Sequence, residues 1–89
     1  MEDARRLDQW LWFSRLFKSR SAAQRAIEAG DIRVNRVVVL KPAHPVHAGD
    51  VLTFMRGKIA LVVRILAPGK RRGPATEAVG LYEVIEPGA

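Results

Sequence analysis

The chain contains no cysteine among its 89 residues. Disulfide frameworks, thiolate nucleophiles and cysteine-based zinc sites are therefore excluded. Long apolar runs are also missing, because residues 37–40 and 59–63 fall far short of the roughly 20 apolar residues that cross a bilayer. The amino terminus begins with Met1, Glu2 and Asp3 and so does not resemble a basic targeting segment. We therefore expect a cytoplasmic protein that has no membrane partner.

Catalytic motifs are equally scarce. His44 and His47 have a spacing that can seat a metal, but no cysteine or nearby carboxylate pair completes a site. The glycines on either side of Lys70 lack the frame of a phosphate-binding P-loop. We therefore predict no catalytic residues, no metal, no cofactor and no enzyme activity.

Acidic residues are few, so positive charge dominates the chain. Fifteen Lys and Arg against nine Asp and Glu give a formal net charge of +6. Residues 5–41 hold nine basic side chains against three acidic ones, and residues 56–72 hold six basic side chains and no acidic one. A chain of this length builds one small core, and this charge balance favours a polyanionic partner. The alternative is that the basic residues only maintain solubility.

Two short helices are predicted near the amino terminus. Asp8 is placed to accept hydrogen bonds from the first free N–H groups of a helix that runs to about Phe17. Its apolar face carries Leu7, Trp10 and Leu11 at helical spacing, which indicates a core stripe.

The opposite face of this first helix carries Asp8, Trp12 and Arg15, which places an aromatic ring and a cation near solvent. Trp12 either stacks on a nucleic-acid base or closes the edge of the small core.

The second predicted helix begins after Lys18, with Ser19 as its N-cap, and ends at Gly30. Lys18, Ser19 and Arg20 meet the unpaired N–H groups at its start, which favours an anion site there. Arg20 and Gln24 are predicted to lie one turn apart on the outer face.

A small sheet follows. Residues 32–34 and 37–39 are apolar or alternating around Asn35-Arg36, which predicts a tight hairpin with Arg33, Asn35 and Arg36 at its tip. Residues 41–50 are predicted as a loop, and residues 51–55 and 59–66 as two strands. Residues 67–73 are predicted as a flexible basic loop. Residues 74–81 are predicted to begin a short helix, with a strand as the alternative, before residues 82–85.

A family resemblance rests on residues spread over about half of the chain. They are Arg6-Leu7-Asp8, Ser19-Arg20, Gln24, Ile27, Gly30, Ile32-Arg33-Val34-Asn35, Pro42, Val46 and Gly49-Asp50. At these spacings the chain resembles the RNA-binding domain named after small-subunit ribosomal protein four, also called the alpha-L motif. A narrower resemblance is to the bacterial fifteen-kilodalton heat-shock protein family, and it rests on Trp10-Leu11-Trp12, Arg15 and the segments 71–78 and 81–83.

The resemblance implies an α+β fold in which two short N-terminal helices pack on a small, mostly antiparallel sheet. We expect the RNA-binding domain at residues 6–66, with a motif core at 6–52, and a basic loop and C-terminal tail at 67–89. The implied function is binding of structured rRNA of the large ribosomal subunit, in recycling or rescue of subunits that carry a nascent chain on tRNA. Peptidyl-tRNA is a further expected partner, DNA a weaker one, and the expected state is a monomer. Many family members carry a long basic carboxy-terminal extension, and no contact through it is expected here.

The implied RNA face is made of basic and amide side chains. Carried over from the family, it comprises Arg6, Arg15, Lys18, Ser19, Arg20, Gln24 and Asn35, with Lys41 at its rim. The hairpin tip and the basic loop add Arg33, Arg36, Lys70, Arg71 and Arg72. Arginines clamp phosphates, the serine hydroxyl donates to a phosphate oxygen, and the two amides meet 2′-hydroxyls or base edges.

The core is expected to contain Leu7, Leu11, Ile27, Ile32, Val34 and Val51. Two alternative functions remain open from sequence. One is a general structured-RNA or tRNA module, and the other is an adaptor whose basic face meets an acidic protein.

Overall fold

Two helices near the amino terminus pack against an antiparallel sheet in the computed structural model, which describes residues 3–87. In chain order the elements are β1 (Arg5–Arg6), α1 (Leu7–Phe13), α2 (Arg20–Glu28), β2 (Arg33–Val34), β3 (Val37–Val38), β4 (Pro45–Val46), β5 (Val51–Arg56), β6 (Ile59–Ile65), α3 (Ala75–Ala78), a 3-10 turn (Val79–Leu81) and β7 (Tyr82–Pro87). This arrangement confirms the predicted α+β class. None of the helices within residues 3–87 is long and apolar enough to cross a membrane.

Helix α1 is shorter than predicted, because it ends at Phe13 and not near Phe17. Arg15 takes the left-handed conformation, with φ of +61°, which a continuing helix does not allow. The buried Ser14 hydroxyl donates to the Leu11 carbonyl at 3.1 Å and accepts from the Leu16 N–H at 3.4 Å. The polar turn that stops the helix is therefore internally bonded, and hydrophobic spacing alone does not reveal it.

Helix α2 confirms the predicted cap at each end. The Ser19 side chain accepts a hydrogen bond from the Ala22 N–H at 3.0 Å. At the other end Gly30 has φ of +80°, its N–H donates to Ile27, and the Asp31 N–H donates to Ala26. These two bonds define a Schellman motif, in which glycine is favoured because it adopts positive φ without strain.

The main sheet has the strand order β3-β2-β5-β6-β7, with antiparallel pairing throughout. Leu52 and Phe54 on β5 are buried, whereas Val51 and Thr53 are only half-buried, as the alternation of side chains along a strand requires. The assignment of Val51 to the core was therefore wrong by one residue. The predicted hairpin is confirmed, with positive φ at both Asn35 and Arg36 as a type I′ turn demands.

A second, two-stranded sheet joins β1 to β4, with Arg5 opposite Val46 and Arg6 opposite Pro45. The prediction of an unbroken loop over 41–50 was wrong here, because strands of two residues are too short to show a period. Val46 is almost fully buried and anchors this sheet to the core. Consequently Arg6, the residue immediately before α1, is held in position by a paired strand.

The core lies between the helices and the sheet. Leu7, Trp10 and Leu11 of α1 and Ile27 of α2 are fully buried and belong to one cluster with the inward side chains of β5 and β6. In the tail, residues 75–81 are helical, which is the first of the two predicted alternatives, and β7 pairs with β6 at the edge of the sheet.

Candidate nucleic-acid interface

Asp8 is a fully buried carboxylate in the first turn of α1, and five donor atoms converge on it. The Gln9 backbone N–H donates to Oδ1 at 2.8 Å, and Arg6 donates to both oxygens at 3.1 Å each. From α2, Arg20 Nε and Gln24 Nε2 donate to Oδ2 at 3.3 and 2.8 Å. Asp8, Arg6, Arg20 and Gln24 form what we call the Asp8 cluster.

This placement corrects the prediction that Asp8 lies near solvent. Asp8 does accept from an N–H of the first turn, as predicted, but it lies inside the helix, and Arg6 occupies the N-cap position. An aspartate between a core leucine and a polar residue gives no sequence signal of burial. Its donors arrive from β1 and from α2, which only the tertiary structure brings together.

The charge state of the cluster follows from these bonds. Burial by itself raises the pKa of Asp8, but hydrogen bonds from Arg6, Gln24 and Arg20 together outweigh burial and lower the pKa below its ordinary value of 3.8. The carboxylate is thus ionised at neutral pH and acts only as an acceptor. Two guanidinium groups against one carboxylate leave the cluster with one net positive charge.

Arg6 and Arg20 remain open to solvent despite their anchoring. Their side chains are 47% and 38% exposed, respectively. Arg20 uses only its Nε toward Asp8, so its terminal nitrogens can bind a phosphate. The prediction of a freely exposed outer face for Arg20 and Gln24 needs correction, because both are half-buried and tied to Asp8.

Further polar groups lie at the start of α2, next to Arg20 in the sequence. Lys18 is exposed, and the Ser19 oxygen that caps the helix still carries a hydroxyl hydrogen that can be donated. Lys18, Ser19 and Arg20 are therefore adjacent at the positive end of a nine-residue helix, as predicted.

The hairpin tip presents cations, but its amide is engaged. Asn35 Oδ1 accepts from the Val51 N–H at 2.9 Å, and its Nδ2 donates to Asp50 Oδ1 at 3.1 Å. Arg36 is exposed at the tip, whereas Arg33, which was predicted there, is exposed on strand β2 opposite Val38. Exposed Lys41 lies farther along the chain, after β3. The described contacts do not join these residues to the Asp8 cluster.

Arginine side chains bind the loop of residues 67–73 to the carboxyl end of α1 and to the segment that follows it. Arg72 Nη1 donates to the carbonyls of Trp12 and Phe17 at 2.6 and 3.3 Å. In the other direction, Arg15 Nε donates to the Gly73 carbonyl at 2.7 Å. This loop was predicted to be flexible, but these contacts fix its carboxyl half against the helix.

Trp12 is half-buried and packs within the protein. The Arg72 guanidinium lies over its ring at 5.4 Å, and the Phe13 ring lies 5.9 Å away. Of the two roles considered for Trp12, these contacts support closing the edge of the core.

The rest of the basic loop is more accessible. Lys70 is exposed, and Arg71 is exposed but paired with Glu77 at 2.9 Å. The hydrogen bond from Arg71 lowers the pKa of the Glu77 carboxyl. Of the three loop residues predicted to bind RNA, Lys70 thus carries the least engaged charge.

Two further arginines, which no sequence pattern singled out, also anchor the fold. Arg5 donates to the Gly69 carbonyl at 2.6 Å and lies 5.6 Å from the Phe13 ring centre. Arg56 donates to the Leu16 carbonyl. No local pattern signals such bonds, because donor and acceptor are 64 and 40 residues apart. No group of three His, Cys, Asp or Glu side chains within residues 3–87 is arranged to bind a metal.

Comparison with protein families matches residues 5–52 to the S4 domain. The chain is 38% identical over 78 residues to heat shock protein 15 of Escherichia coli strain K12, covering 88% of this chain and 58% of that protein. The chain thus spans about three fifths of the length of heat shock protein 15. It is 35% identical over 88 residues to the RQC P-site tRNA stabilizing factor of Listeria monocytogenes, covering 97% and 91% of the two chains.

A solved structure shows the same fold. Heat shock protein 15 of Vibrio cholerae, described as trimeric, superposes with a TM-score of 0.88 at 32% identity, covering 94% of this chain and 84% of that one. The matched S4 segment contains the Asp8 cluster, the start of α2 and the hairpin tip, whereas Lys70, Arg71 and Arg72 lie outside it.

Proposed function

The chain belongs to the S4 domain family, and we propose from this premise that it binds structured RNA of the large ribosomal subunit. The subunits bound are those that retain a nascent chain on tRNA, so that the protein acts in their recycling or rescue. Its role is binding and not catalysis, and its site of action is the cytoplasm, where ribosomes work.

The Asp8 cluster is the observation that carries this proposal. Within the S4 segment, two partly exposed arginines and an amide are fixed to one buried carboxylate. Guanidinium groups in a fixed arrangement bind phosphates with little loss of side-chain freedom, which suits recognition of a folded backbone by its shape.

The relatives narrow the RNA class. Matches to a factor named for stabilizing P-site tRNA support peptidyl-tRNA on the ribosome as a partner, because that alignment covers 91% of the factor. Proteins named heat shock protein 15 support a role under stress.

Sedimentation through a sucrose gradient tests the proposal. The protein should migrate with large subunits, and more of it should do so when they carry peptidyl-tRNA. Migration with free tRNA near the top would instead identify a general RNA module. Binding that survives ribonuclease treatment would identify a protein adaptor.

A matched pair of lysine variants sharpens this test. Lys18→Gln removes a charge at the start of α2, and Lys58→Gln removes one from the exposed turn between β5 and β6. The first change should weaken subunit binding about fivefold at moderate salt, and the second should have a much smaller effect. Equal losses would contradict an interface centred on the S4 segment.

Two further properties belong to this proposal. DNA should bind more weakly than RNA, because it lacks 2′-hydroxyls and the A-form shape. The protein is proposed to act as a monomer, although its Vibrio cholerae relative is described as trimeric. Light scattering at micromolar concentration decides between these two states.

A further inference from the structure

From the geometry of the Asp8 cluster we propose that Gln24 is a specificity-determining residue that senses the RNA 2′-hydroxyl, and that Asp8 is the positioning residue that orients its amide. This inference rests on the proposed RNA binding and deepens it, because it names the side chain that distinguishes RNA from DNA.

The orientation of the Gln24 amide follows from the chemistry of Asp8. An amide has a donating nitrogen and an accepting oxygen, whereas an ionised carboxylate only accepts. Gln24 must therefore turn its Nε2 toward Asp8 Oδ2, which lies 2.8 Å away. The Gln24 carbonyl oxygen, Oε1, is consequently directed away from the carboxylate.

That oxygen is available to a ligand. Within residues 3–87, Gln24 Oε1 has no hydrogen-bond partner. It is not buried either, because the buried side-chain atom without a partner in this part of the chain is Arg5 Nε. Because Oε1 is an acceptor that solvent can reach, it can accept a hydrogen bond from water or from a donor on a bound ligand.

RNA supplies such a donor on its backbone. Phosphate oxygens only accept, and base N–H groups occur in RNA and DNA alike. The 2′-hydroxyl donates and is absent from DNA. Arg6 and Arg20 bind the same carboxylate as Gln24 and keep exposed guanidinium surface for phosphate. A strand that contacts these arginines through its phosphates brings a ribose close to the amide, because all three side chains are bonded to the same carboxylate.

The role of Asp8 separates this inference from simple electrostatics. Asp8→Asn removes a negative charge, so charge alone predicts tighter binding of any polyanion. An asparagine side chain can instead donate to Gln24, which lets the glutamine amide rotate and turn its nitrogen outward. We therefore expect selectivity for the hydroxyl to fall even where overall affinity does not.

The test compares two hairpins of one sequence, one with natural ribose and one with 2′-fluoro ribose. Fluorine at this position removes the donor and keeps the A-form helix. The wild-type protein should bind the natural hairpin about threefold to tenfold more tightly, as one hydrogen bond allows. Gln24→Ala and Asp8→Asn should bring this ratio close to one.

Controls make the outcomes distinct. Glu28→Gln removes a charge from an exposed position of the same helix and should leave the ratio unchanged. Gln24→Ala decides the inference if Asp8→Asn does not fold, because it leaves both arginines on Asp8. A wild-type ratio retained in Gln24→Ala overturns the role of Gln24, and one retained in folded Asp8→Asn overturns the role of Asp8. Wild-type protein that binds neither hairpin contradicts the proposed function itself.

Discussion

Arg72 lies in the predicted RNA-binding loop, yet its contacts predict that its loss will destabilise the fold. Its guanidinium donates to the Trp12 carbonyl in α1 and to the Phe17 carbonyl in the segment after α1, and it lies over the Trp12 ring. Hydrogen bonds from a charged donor contribute about 1.5–3 kcal/mol, and a cation–π contact at a partly exposed site about 0.5–1 kcal/mol. Water can replace part of this at a half-buried position, so we expect Arg72→Ala to cost about 2 kcal/mol.

Lys70→Ala is the matched control, because Lys70 lies two residues away, carries the same charge and is exposed. Its free energy of unfolding should change by less than about 0.5 kcal/mol. Urea denaturation followed by tryptophan fluorescence measures both variants, and the slope with denaturant should stay constant if the folded state is otherwise intact. In a domain of this size the Arg72 variant should also melt about 8–16 °C lower. Equal stability of the two variants would refute the structural role assigned to Arg72.

Three further predictions concern binding and pH. If about five or six phosphates are contacted, log affinity for RNA should fall against log salt with a slope near −4 to −5, and a flat titration would exclude a mainly electrostatic interface. Because folding lowers the pKa of Asp8, the ionised carboxylate stabilises the folded state fully above the ordinary pKa of 3.8, and this stabilisation is lost as pH falls below that value. Denaturation measured across pH 2–5 should show the loss in the wild type and not in Asp8→Asn. The double variant of Lys70→Ala and Arg71→Ala, which spares the anchoring arginine, should weaken binding to large subunits with peptidyl-tRNA more than binding to a short RNA hairpin, and equal losses would show that the loop supplies only unspecific charge.

Local signals were sufficient for the elements whose ends are set by neighbouring residues. Ser19 and Gly30 marked the limits of α2, because a hydroxyl cap and a left-handed glycine act within one turn. Asn35-Arg36 likewise marked the hairpin, since a type I′ turn requires positive φ at both positions.

The candidate site was predictable in composition but not in geometry. The family resemblance selected Arg6, Arg20 and Gln24, the charge distribution independently favoured the segment that holds the two arginines, and all three side chains meet at one place in the structure. Asp8 was assigned to solvent, because helical spacing alone cannot show that donors from β1 and α2 converge on it.

The sequence by itself determined the class of fold, the two basic segments and the family, because these depend on composition, short-range conformational preference and motif spacing. Only the tertiary structure decided which cations and amides are engaged by the protein itself. Arg72 meets a carbonyl 60 residues away and Gln24 meets a carboxylate 16 residues away. Hydrogen bonds depend on distance and angle in space, and separation along the chain carries no information about either once the core has packed.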